Sequence, residues 1–159
     1  MIEHTQEWKL STKEQLEAGL KEAMKAGDDL RKRTLRMALA AIRQVEIDGG
    51  KPLEENQVQA ILQKEIKSRH EAIAEAQRAG RPDLEAAAKD EIGVLEFYLP
   101  RQLSPEELDI LARQAVSETG ATSIKEMGQV MKVLMPRLQG RASGDQASQA
   151  VKRLLGGLT

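Results

Sequence analysis

From Met127 onward this sequence carries Lys132, Arg137, Arg141, Lys152 and Arg153 against one acid, Asp145, a local excess of four positive charges. The cations flank a glycine-punctuated joint, Gln139-Gly140-Arg141-Ala142-Ser143-Gly144-Asp145. Helix-borne cations neutralise phosphates, glycines let backbone amides approach another backbone, and helix N-termini present free N–H groups to anions. The pattern fits a phosphate-contacting surface and, equally, a turn among ordinary surface charges. Aromatic residues are only 2% of the chain, which speaks against base stacking. The expected nucleic-acid target is therefore a structured backbone read by shape.

Enzymatic chemistry finds little support. His4 and His70 are isolated from each other and from any evident partner, so each reads as a surface or packing residue. No P-loop, dinucleotide fingerprint, His-Glu-x-x-His motif or Gly-x-Ser-x-Gly elbow occurs. The paired acids Glu54-Glu55 and Glu106-Glu107 fall in first turns of helices, where the macrodipole accounts for them. Absence of cysteine removes thiolate metal sites, disulfides and a cysteine nucleophile. No catalytic, cofactor-binding or metal-binding residue is assigned, and the reading leans away from a stand-alone enzyme. Arg31, Lys32, Arg33, Arg36 and Arg43 form a second basic cluster, read first as a solvated helix face. Lys64, Lys67 and Arg69 are diluted by Glu65 and Glu71, and Met127, Met131 and Met135 read as core.

The elements that must position these groups are helices. Ala, Leu, Gln, Glu, Lys and Arg dominate the 159 residues, and β-branched runs are missing, so the chain is expected to be all-α. Ser11-Thr12-Lys13-Glu14 is a capping box opening the first helix, with Leu16, Leu20, Ala23 and Met24 on its inner stripe. A second helix over about 30–47 places Leu30, Thr34, Met37, Ala38, Ala41, Ile42 and Val45 on one face. A third, about 54–79, has a stripe interrupted by Glu65 and Arg69, and a fourth runs to Tyr98 using Leu84, Ala87, Ala88, Ile92 and Leu95. Pro100 ends it, and Ser104-Pro105-Glu106-Glu107 starts another helix. Two further short helices follow it, the first opened by a capping box at Ser123-Ile124-Lys125-Glu126. The expected organisation is an extension over 1–10, an array of about four helices over 11–99 and a three-helix tail over 100–159. Phe97, Tyr98, Leu99 and Leu103 read as packing at the joint between array and tail rather than as a ligand site, with Tyr98 and Leu99 buried.

A formal net charge of −1 argues against indiscriminate nucleic-acid or membrane binding. The first ten residues lack a signal-peptide apolar run, and no stretch approaches a membrane span. A cytoplasmic protein without membrane association is expected.

The runs Leu20-Lys21-Glu22-Ala23-Met24-Lys25-Ala26-Gly27-Asp28 and Arg33-Thr34-Leu35-Arg36-Met37 resemble the opening of the GatB/YqeY family. So do Ala79-Gly80-Arg81-Pro82-Asp83-Leu84, Tyr98-Leu99-Pro100-Arg101-Gln102-Leu103-Ser104 and Glu126-Met127-Gly128-Gln129-Val130-Met131. The order and spacing match from about Ser11 to the end, as in a free-standing YqeY-like protein. The resemblance implies that the three-helix tail is similar to the tail of the B subunit of glutamine-dependent aspartyl/glutamyl-tRNA amidotransferase, which helps hold tRNA. It implies RNA contact at Gly128, Gly140, Arg141 and Gly144, beside the basic Lys132, Arg137, Lys152 and Arg153. Family members often carry Asp-Met-Gly-Lys-Val-Met-Gly where this chain has Gln129 and Lys132, so the cation is displaced by three positions. The family label, carbon–nitrogen ligase with glutamine as amido-N-donor, would describe a complex, because this chain lacks kinase and amidase signatures.

The leading expectation is a tRNA- or RNA-binding accessory protein, not catalytic by itself and without a cofactor. The alternative is a helical protein-interaction module docking on an amidotransferase or another partner. Oligomeric state is not legible in the sequence.

Overall fold

The computed structural model describes residues 10–157 and is all-α, with no strand among the described residues. His4 and nearly all of the 1–10 extension lie outside those residues. The helices are α1 (Thr12–Ala26), α2 (Asp29–Gly49), α3 (Glu55–Arg78), α4 (Pro82–Glu96), α5 (Pro105–Thr119), α6 (Met127–Leu138) and α7 (Gly144–Gly156), with a 3-10 turn at Ile124–Glu126. The chain divides into two compact units, Met1–Leu99 and Pro100–Thr159. No described helix is long and apolar enough to cross a membrane.

In the first unit α1 and α2 form one hairpin, α3 and α4 another, and α2 also touches α3 and α4. Ser11 caps α1 through Oγ, which accepts the Glu14 N–H at 3.1 Å. The adjacent Thr12 N–H, unpaired within its own helix, donates to the Glu55 carboxylate at 3.1 Å, and the Thr12 hydroxyl donates to the same group. The start of α1 is thereby clasped to the start of α3. Gly27 ends α1 in the left-handed region at φ 67°, the conformation a C-terminal cap of this kind needs. The core gathers Leu16, Leu35, Ala38, Leu39, Ile42, Val58, Leu62, Leu95, Tyr98 and Leu99.

That core displaces the expected α2 stripe by about one residue. Leu35 and Leu39, on the neighbouring face, are buried, whereas Met37 and Val45 are half exposed. Helix α2 has helices on three sides, so its buried arc is wider than a single stripe and its centre is set by those neighbours. Met24 and Leu84, expected inward, also face solvent. Gly19, passed over in the sequence, is buried where Tyr98 crosses α1, and a Cβ there would overlap the Tyr98 hydroxyl.

Tyr98 and Leu99 are buried, as expected, but Phe97 is 80% exposed. With Leu95, Tyr98 and Leu99 at i, i+3 and i+4 pointing inward, Phe97 is forced outward while the backbone stays helical at φ −56°. Arg69 interrupts the α3 stripe because it is itself part of the interior. It is only 7% exposed, donates to Glu65 at 2.8 Å and to Glu91 of α4 at 3.0 Å, and also meets the Glu65 carbonyl. Arg33 of α2 stands 3.9 Å from Glu91, extending the network to a third helix.

In the second unit α5, α6 and α7 pack mutually around Leu108, Ala112, Ala115, Val130, Leu134, Leu138, Ala147, Ala150, Val151 and Leu155. Leu103 is partly buried against this core. The capping box expected at Ser123 does not form. The segment takes a 3-10 turn in which the Glu126 N–H donates to the Ser123 carbonyl, and the Glu126 carboxylate turns to the Thr122 N–H. A complete capping box stands instead at Ser143 and Gln146.

Candidate nucleic-acid interface

The tail residues divide into those that solvent can reach freely and those already spent inside their unit. Gly128 is exposed in the first turn of α6, and a Cβ there would meet nothing within 4 Å. Lys132 on α6, opposite the buried stripe of its helix, and Lys152 on α7, at the edge of the stripe beside Val151 and Leu155, are exposed, and neither has an ion-pair partner among the described residues. The remaining three cations are answered by acids of α5. Arg137 pairs with Glu118 at 2.5 Å, Arg153 with Asp109 at 3.3 Å and Arg141 with Glu107 at 3.8 Å. Sequence reasoning counted charge only from Met127. Over residues 100–159 there are eight bases and six acids, so the unit's excess is two.

The glycine-punctuated joint is fastened. The Leu103 N–H donates to the Arg141 carbonyl at 2.7 Å, and the Gln102 amide donates to the Gly140 carbonyl at 3.0 Å. The Arg141 guanidinium donates to the Arg101 carbonyl at 3.3 Å. Arg101 binds Glu107 at 2.8 Å, and this pairing, with the Ser104 N–H and hydroxyl behind it, holds the Glu107 carboxyl down at about 2. The same pairing raises the Arg101 guanidinium. Gly140, at φ 76°, and Gln139, at φ 51°, make the reversal after α6. Gly144 begins α7, with the Met135 methyl 3.6 Å from where its Cβ would stand. Residues 101–104 thus form a strap across the α6–α7 turn. Gly140 and Arg141 serve this strap, and nothing in the geometry requires glycine at 128 or 144 for internal packing. Of the five cations from Met127 onward, two lysines on two helices are left without an acid partner; Arg113 and Lys125 of the same unit are likewise exposed and without an ion pair among the described residues.

In the first unit, Arg31, Lys32 and Arg33 of the α2 cluster stand 4.0, 3.3 and 3.9 Å from Glu22, Asp29 and Glu91. Arg36 and Arg43, seven residues apart, are exposed and without an ion pair among the described residues. His70 is exposed on α3. Among the described residues no group of three or more His, Asp or Glu is placed to hold a metal ion.

Sequence reasoning missed a groove of about 620 Å3 between α2 and α4, lined by Leu30, Arg31, Lys89, Asp90, Phe97 and Tyr98 among others. The Phe97 and Tyr98 rings meet edge to face, with centroids 5.1 Å apart at 79°. The signal was present in the helical position of Phe97, which cannot share a face with both Leu95 and Tyr98.

A family model described as Yqey-like protein matches residues 13–155. Among curated proteins, the chain is similar to one of Lachancea thermotolerans named altered inheritance of mitochondria protein 41, mitochondrial. The two are 37% identical over 99 residues, 62% of this chain and 53% of the relative. Proteins of the same name from Kluyveromyces lactis and Vanderwaltozyma polyspora are 38% identical over 107 residues and 34% over 97. Those matches cover 65% of this chain and 57% of the first, and 59% of this chain and 52% of the second. The chain spans about half the length of these relatives. Their names overturn the cytoplasmic expectation, since each is named as mitochondrial. That expectation rested on the missing signal-peptide run and membrane span, which do not distinguish one aqueous compartment from another.

Proposed function

This chain belongs to the YqeY-like family, and from that premise we propose that it is an accessory protein that binds structured RNA, with tRNA as the species to test first. It is not catalytic by itself. The observation that carries the reading is the pair Lys132 and Lys152, exposed and without ion-pair partners on the adjacent helices α6 and α7, where the other cations from Met127 onward are paired. Lysine ammonium groups in that setting neutralise phosphates without reading bases, which suits recognition of a folded backbone.

The test is tRNA affinity as a function of salt. Removing one lysine–phosphate pairing should reduce the slope of log K against log salt by about 0.7–0.9. Lys132→Ala with Lys152→Ala should weaken tRNA binding and flatten the slope by about 1.5. Arg137→Ala should leave the slope nearly unchanged, because Glu118 already answers that charge. Salt-independent binding, or none at about 50 mM salt, would refute the reading.

A second reading, docking on an amidotransferase complex or another protein, is favoured by the exposed apolar side chains Met37, Val45 and Ile47 of α2. Nuclease-resistant binding to a purified amidotransferase, abolished on changing these three to Ser, is its test.

A further inference from the structure

We infer that the groove between α2 and α4 is a site for an unpaired nucleotide at an RNA end, with the base stacked on Phe97. The inference rests on the RNA-binding reading, yet it concerns a different surface in a different compact unit. Of the two aromatic residues described, Tyr98 is buried and Phe97 is 80% exposed. The two rings meet edge to face, a favourable contact for Phe97 on one side that leaves most of its surface open to a base. The groove, about 620 Å3, lies within the range that takes a small-molecule-sized ligand. Gly93 contributes no side chain to its lining, and a Cβ there would meet open space.

The polar groups of the lining suit a nucleotide part by part. Arg31 and Lys89 supply two cations for phosphate, and Asp90 supplies an acceptor for the amino or imino donors of a base edge. Both cations have acid partners that a phosphate would have to share or displace. Arg31 is 4.0 Å from Glu22, whose side chain is largely exposed, and Lys89, itself exposed, forms an i,i+4 pair at 2.8 Å with the partly buried Glu85. An apolar partner helix would use Leu30, Val94 and Phe97 but leave Asp90 beside its apolar face. The combination of an open aromatic face, two cations and a lone acceptor favours the nucleotide.

The experiment compares two RNA hairpins bound to the full chain, one blunt and one with a single-stranded 3′ end carrying 2-aminopurine. Binding should quench the 2-aminopurine and favour the overhanging hairpin. Phe97→Ala should abolish the quench and weaken overhang binding about tenfold, the loss of one stacked base, while blunt-hairpin binding stays unchanged. Phe97→Tyr should retain both effects. Phe97→Leu keeps apolar bulk without a π-face and should behave as Phe97→Ala; wild-type behaviour of Phe97→Leu would overturn stacking, as would a quench that survives in Phe97→Ala. Equal wild-type affinity for the two hairpins would overturn the nucleotide site and leave the lysine-based reading standing. Failure of both hairpins to bind would overturn both.

Discussion

Gly19→Ala should destabilise the first unit, although alanine is the better helix former. In an exposed helix interior the exchange would stabilise by about 1 kcal/mol. At Gly19 the new methyl would overlap the Tyr98 hydroxyl and stand 3.0 Å from Tyr98 Cζ and 3.3 Å from Leu35 Cδ1. Tyr98 is 8% exposed and Leu35 fully buried, so neither can swing into solvent without opening the core. Overpacking a rigid interior costs about 1–3 kcal/mol, and here two buried side chains must yield, which places the cost near the upper end. The net expectation is a loss of about 1–2 kcal/mol. Urea titration should show it as a lower midpoint with an unchanged slope. Hydrogen exchange of α1 and α4 amides, read separately from those of α5–α7, should locate it in the first unit. Tyr98→Phe removes the overlapping oxygen and should restore most of the loss in the double variant. A Gly19→Ala protein as stable as wild type, or a double variant no better than the single, would refute the close-approach argument.

Arg69→Ala should cost about 2–3 kcal/mol in urea unfolding, because it leaves Glu65 without its partner and Glu91 with Arg33 alone at 3.9 Å; Arg69→Lys should fall between, since it cannot bridge both carboxylates in the same fork. Ser143→Ala should lower thermal stability of the second unit by about 1 kcal/mol, whereas Ser123→Ala, lacking a side-chain cap bond, should change it little in the same calorimetric scan. Glu107 has a depressed folded-state pKa, so its contribution is complete above the ordinary carboxylate value near 4.5 and is lost as pH falls through about 2. Protection factors of the amides around residues 101–104, that is, exchange rates taken relative to the intrinsic rate at each pH, should therefore fall between about pH 4 and pH 2, and Glu107→Gln should remove that dependence.

The helices were legible because strong helix formers, Ser11, Ser104 and the Gly and Pro breaks agree with one another locally. What failed to show required neighbours distant in sequence. The centre of α2's buried arc depends on three other helices, so Met37 and Leu35 exchanged expected roles. Gly19 looked ordinary until Tyr98 crossed it. The tail's charge looked unspent because the acids that answer it, Glu107, Asp109 and Glu118, lie on a helix preceding the counted segment. Ser123 and Ser143 carry similar capping patterns, yet one forms a 3-10 turn and the other a full box. Phe97 was the exception: helical spacing alone already set it apart from Leu95 and Tyr98.

The strap over residues 101–104 also determines how the second unit answers to mechanical load. A pull arriving along the backbone at Pro100 meets the Leu103–Arg141 and Gln102–Gly140 bonds before it reaches the first turn of α5. Those bonds join positions 38 residues apart in sequence. The force is carried across to the α6–α7 turn instead of unwinding α5 from its capped end. Tension on the connecting chain would then release the strap first and leave three packed helices intact.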